Sequence, residues 1–108
     1  SATMPGMPFP SPPQQDTGRQ APLPDNALKV DAGRRGFIEY ENPDGRLMTL
    51  LIFDRQSGEE LLEKDYSDGV IYEYVDFNRF NRPLEQIGVI YREVSGLVLK
   101  DLTPVVSQ

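Results

Sequence analysis

The sequence predicts a small α+β domain: an antiparallel β-meander of four to five strands with one amphipathic helix, preceded by a disordered, proline-rich arm. Three observations predict it. Seven of the ten prolines fall within residues 1–32. Three glycine-bearing turns then follow at hairpin spacing, separating segments of strand length and composition. Finally, residues 81–96 carry an apolar stripe at helical spacing.

The arm comes first. Pro5, Pro8, Pro10, Pro12, Pro13, Pro22 and Pro24 are interspersed with Gly, Ser, Gln and isolated charges, with no apolar period of 2 or 3.6. Such a segment cannot bury enough surface to offset the entropy of ordering it, so residues 1–32 read as disordered with polyproline character. It would serve as a spacer, or as a recognition arm whose PFPSPP stretch suits an aromatic groove. Residues 33–108 form the expected domain, with GRRG at 33–36 as a solvated lead into its first strand.

Within the domain, NPDGR (42–46), RQSGE (55–59) and YSDGV (66–70) each set a glycine after Asp or Ser. A type I turn closed by a left-handed residue has that signature. The segments between them, 36–41, 46–54, 59–65 and 70–77, are rich in Ile, Val, Leu, Tyr and Phe and read as four strands. LMTLLIFD is apolar on both faces, so it needs cover on both sides. One cover is the expected helix, in which Leu84, Ile87, Tyr91, Val94 and Val98 recur at spacings of three and four. Asn81 suits its N-cap, Pro83 its first turn and Gly96 its end. Gly88 weighs against a helix, and GVIYREV read alone is also a strand. LVLKDLTPVV supplies a last short strand ending at Pro104.

Composition limits the chemistry. The 108 residues include neither cysteine nor histidine. This removes thiolate and imidazole metal ligands, disulfides, and every nucleophile–histidine arrangement. No cofactor, metal site or catalytic residue is expected, and the protein reads as a non-enzyme. A net charge of −6 opposes nucleic acid or anionic lipid as the main partner. No segment is long and apolar enough to insert into a membrane. The first 30 residues lack the apolar core of a signal peptide. The compartment follows as cytoplasmic if the chain starts near Met4, or exported if an upstream signal has been removed.

The carboxylates of DRQSGEE admit three readings: a hairpin turn, a capping box between Ser57 and Glu60, or a cation site of Asp54, Glu59, Glu60 and Glu63. The glycine and the preceding strand favour the turn. Asp65 and Asp68, with Asp44, could in principle flank a glycosidic bond, but turn aspartates more often bond to their own backbone. The most unusual composition is IYEYVDFNRFNRP (71–83). Its Tyr72, Tyr74, Phe77, Arg79, Phe80 and Arg82 combine the residue types enriched at interface hot spots, and they are the expected partner-binding residues. The expected partner is another protein or a second copy of the chain. The function reads as protein interaction or assembly; the alternatives are a homo-oligomeric structural subunit or a carboxylate-dependent hydrolase.

GRLMTLLIFDRQSGEEL (45–61) also resembles the core of the bacterial flagellar FlaG family. There a strand opened by Gly-Arg leads to Asp-x-x-Thr-x-Glu and a second apolar strand, after a long polar N-terminal region. Gly45, Arg46, Asp54, Ser57, Glu59, Leu61 and Leu62 occupy the matching positions. The first strand is one residue longer than in the family, EKDY replaces the usual Arg-Gln-Ile-Pro, and about 40 residues follow where the family has a short helix. The resemblance implies a non-enzymatic accessory of flagellar or surface assembly, in a family linked with filament length. It supplies no catalytic residue.

Overall fold

A computed structural model describes residues 26–107. The proline-rich arm up to residue 25 lies outside the described residues. Seven strands follow in order: β1 (Ala27–Val30), β2 (Arg35–Glu41), β3 (Met48–Asp54), β4 (Glu60–Tyr66), β5 (Val70–Asp76), β6 (Ile87–Glu93) and β7 (Val98–Val106). Short 3-10 turns at Phe77–Phe80 and Leu84–Gln86 connect β5 to β6. The first strand begins before residue 33, because β1 is drawn from the end of the segment assigned to the arm.

The strands form two sheets. One has five strands in the order β1-β7-β6-β3-β4, and the other is a two-stranded ribbon of β2 and β5. All pairings are antiparallel except β1 with β7, which is parallel. The ribbon lies over the sheet, and the core fills the space between them. Met48, Leu50 and Ile52 of β3, Ile87 and Val89 of β6, Ile38 of β2 and Phe77 are all fully buried there. Period-2 alternation accounts for this: in β2, Ile38 points in while Phe37 and Glu39 point out.

The expected helix is absent, and the fold is β-rich, not α+β. Residues 87–93 are instead a central strand bonded to β3 on one side and β7 on the other. The helical stripe and the strand pattern share Ile87 and Tyr91, so spacing alone could not separate them. Val89 decides between them: it lies off the stripe yet is fully buried, whereas the stripe residue Val94 is 72% exposed. Gly88 serves the sheet directly. A Cβ there would lie 2.5 Å from the Phe53 ring, which occupies the space beside the bare backbone.

The meander is also corrected. Only the middle turn joins paired neighbours, with Phe53 opposite Glu60 after a one-residue register shift. The turns at 42–47 and 67–69 are corners at which the chain leaves one sheet for the other. Gly45, Gly58 and Gly69 all take positive φ, as their turn signatures require. The two corners touch: Asn42 N–H donates to the Gly69 carbonyl at 2.8 Å. A Cβ on Gly69 would lie 2.8 Å from the Gly45 backbone, which fixes glycine at that site.

β7 runs past the expected stop at Pro104. Its pairing with β6 ends at Leu102, and beyond that point β1 alone continues the ladder. Thr103 and Ser107 donate to the β1 side, so the N–H that Pro104 lacks would face away from β1, where β6 has already ended.

Candidate interaction surface

The outer face of the ribbon gathers three aromatic side chains. Phe37 stands opposite Tyr74 in the register, and Tyr72 opposite Glu39. The Phe37 ring stacks on Tyr72 with centroids 5.3 Å apart and meets Tyr74 at 4.8 Å. All three are about half exposed, at 48%, 61% and 55%, and Val70 on the same strand is 41% exposed. The residues that alternate with them, Ile38, Ile71 and Val75, are buried and anchor the ribbon to the core. The aromatic patch is therefore the outward half of a strand pair whose inward half is fixed. Arg35 and Asp76 close one end of it with an ion pair at 3.4 Å.

The six expected partner-binding residues separate. Tyr72 and Tyr74 belong to the patch. Phe77 and Phe80 are in the core, edge to face with centroids 6.0 Å apart. Arg79 is exposed over the Phe80 ring. Arg82 turns away to Asp54 at 3.3 Å and Glu59 at 3.1 Å, while its carbonyl accepts from Arg34. Sequence reasoning missed Phe37, which completes the patch. Its signal was the alternation of GFIEYE, which sets Phe37 and Ile38 on opposite faces whichever one is buried.

The carboxylates do structural work. Asp54 is 3% exposed and accepts from the Gln56 and Ser57 N–H groups at 2.7 and 2.9 Å and from Gln86 at 2.9 Å. These donors, the Ser57 amide foremost, hold its carboxyl below the usual range despite burial. Asp54 therefore organises the turn and is not part of a cation cluster. Among the described residues, no group of three or more acidic side chains is placed to hold a metal ion. Asp76 is lowered chiefly by the Asn78 amide, and Glu73 chiefly by Lys64. The Lys64–Glu73 pair ties the edge strand β4 to the ribbon. Burial pushes the Tyr91 hydroxyl up to about 12.

The outer face of the five-stranded sheet differs. Leu51, Phe53 and Ile90 lie at its centre, and long polar side chains extend over them. Arg55 lies 5.3 Å from the Phe53 ring centroid and reaches across to Asp101 at 2.8 Å and the Leu102 carbonyl at 3.0 Å. Arg92 pairs with Glu63 at 3.5 Å, and Thr49 donates to Asp65 at 2.8 Å. A second exposed apolar group, Leu47, Val94 and Val98, borders a shallow groove of about 520 Å³ at one end of this face.

Among the described residues, no helix is long and apolar enough to cross a membrane. Comparison with known protein families, curated proteins and solved structures finds no match to this chain.

Proposed function

We propose that this protein is a non-enzymatic interaction module that engages another protein through the Phe37–Tyr72–Tyr74 face of the ribbon. One observation carries the reading: three aromatic rings cluster, half exposed, on strands whose other face is locked into the core. Aromatic side chains held rigidly at a surface lose little entropy on binding and are enriched among hot-spot residues. The Arg35–Asp76 pair lies at one end of the patch and Glu41 at the other, while Glu39 stands opposite Tyr72 within it, so charged groups border the rings as at the rim of a protein interface. Among the described residues, the carboxyls of Asp54, Glu73 and Asp76 are lowered by donors, whereas a general acid requires a raised one, which supports the non-enzymatic reading. The flagellar resemblance falls on the β3–β4 hairpin and adds no residue to the patch; it agrees with an assembly role.

A photo-crosslinking residue at position 37 of the full chain tests the proposal. It should capture a discrete partner, and Tyr72→Ser with Tyr74→Ser should cut that capture roughly thirty-fold, the equivalent of about 2 kcal/mol. The same probe at Glu63 should capture little. Equal capture from both positions, or capture that survives the double substitution, would remove the patch from the function. Capture of a second copy alone would make the chain a homo-oligomeric subunit.

A further inference from the structure

The five-stranded sheet shows how this chain covers a ring on an outer face. Arg55 lies 5.3 Å from the Phe53 ring centroid, and its guanidinium runs on to the Asp101 carboxylate at 2.8 Å. Ring, guanidinium and carboxylate work as one unit. The cation meets the electron-rich ring while its N–H groups reach an acceptor.

The outer face of the ribbon brings together rings and carboxylates of the same kind. The register sets four cross-strand pairs in a row there: Arg35 with Asp76, Phe37 with Tyr74, Glu39 with Tyr72, and Glu41 with Val70. Side chains directly opposite have Cβ atoms about 5 Å apart, so Glu39 stands beside the stacked Phe37 and Tyr72 rings. Among the described residues, neither Glu39 nor Glu41 enters an ion pair, and no cation lies over the three rings. Arg35, on the same face, is held by Asp76. Lys100 borders a shallow groove with Glu39 but stays beyond ion-pair distance. Elsewhere on the strands, Glu63, Glu73 and Asp101 are matched by Arg92, Lys64 and Arg55. Glu39 and Glu41 leave the same side of one strand two residues apart, and as like charges they repel. A cation set between the rings and these carboxylates would relieve that repulsion.

We propose that the partner presents an arginine to this face, with its guanidinium over Phe37 and Tyr72 and its N–H groups donating to Glu39 and Glu41. The inference rests on the reading of the patch as a protein interface and names the chemistry that docks there: an arginine-bearing segment of another protein. A lysine fits less well. Its ammonium is a compact, strongly hydrated charge and lacks the planar fork that meets a ring and a carboxylate together.

Titration of the full chain with the peptide Ac-Gly-Arg-Gly-Arg-Gly-amide, followed by nuclear magnetic resonance of labelled Phe and Tyr rings, tests it. The Phe37, Tyr72 and Tyr74 resonances should move, while those of Tyr66 and Tyr91 stay in place. Replacing both arginines by citrulline, which keeps the shape and loses the charge, should weaken binding roughly ten-fold. Glu39→Gln with Glu41→Gln should weaken the arginine peptide by a similar factor, with the ring spectrum of the free protein unchanged. Equal shifts with the citrulline peptide, or shifts that survive the double Gln substitution, would overturn the inference. Crosslinking from position 37 separates this failure from that of the interface itself. Capture that Tyr72→Ser with Tyr74→Ser removes and the double Gln substitution leaves intact would keep the interface and overturn the arginine. Capture indifferent to both pairs of substitutions would overturn both.

Discussion

The outer face of the β2–β5 ribbon and the outer face of the five-stranded sheet both back onto the same core, yet they meet water differently. On the sheet, Leu51 is 7% exposed and the Phe53 ring lies under Arg55. On the ribbon, Phe37 packs against Tyr72 and Tyr74, yet all three rings stay about half exposed. Position within the architecture explains part of the contrast. A central strand has neighbours on both sides whose Arg and Glu side chains can lay their aliphatic stems across it. A two-stranded ribbon has no such flanks. The comparison shows that flanking strands cover the centre of an apolar outer face with long polar side chains, while the ribbon, like the Leu47–Val94–Val98 end of the sheet, stays open.

The largest effect should come from separating the two sides of the ribbon. Ile38→Ala empties a fully buried position and should cost about 2–5 kcal/mol in urea unfolding. Phe37→Ala, one residue away, should stay within about 0.5 kcal/mol. Similar costs for both would mean that the patch is part of the core. On the sheet, Gly88→Ala forces a Cβ against the Phe53 ring and should cost about 1–3 kcal/mol. An unchanged midpoint would show that the covered face is loosely packed.

Acid should weaken the attachments of both regions. Asp54, Glu73 and Asp76 all have lowered carboxyl pKa values in the folded state. Their contribution is present above the ordinary carboxylate range and is lost as pH falls through that range towards the folded values. The urea midpoint should therefore fall below about pH 4, where unperturbed carboxylates begin to protonate. Asp54→Asn should lie closer to wild type in acid than at neutrality; a constant gap would contradict the role of the charge. A small effect is also expected from Arg55→Ala. It should cost under about 1 kcal/mol, because the ion pair with Asp101 is partly exposed. It should also raise self-association by uncovering Phe53. A strict monomer in light scattering would show that Arg55 is not needed as cover.

Much of this was legible in the sequence. The turn glycines, the strand segments between them and the two-faced apolarity of 46–54 all appear as expected, because φ preference and period-2 alternation act over a few residues. Tyr72 and Tyr74 were legible for the same reason. The alternation of GFIEYE gives Phe37 the same kind of cue; what the sequence hid is that it meets the two tyrosines, because it lies more than thirty positions from them. The helix expected over 81–96 failed because a 3.6-period stripe and a strand share Ile87 and Tyr91, and β3 and β7 then offered ladder partners on both sides.

Local chemistry by itself therefore determined where this chain turns, which segments extend, and that thiol and imidazole chemistry are excluded. Only the tertiary structure decided which strands pair, that two of three similar turns are corners, and that residues 87–93 are a strand. Alternation assigns side chains to one face or the other but does not say which face is buried. That choice is made by burial summed over strands distant in sequence, here the sheet that closes beneath the ribbon and leaves the three rings outside.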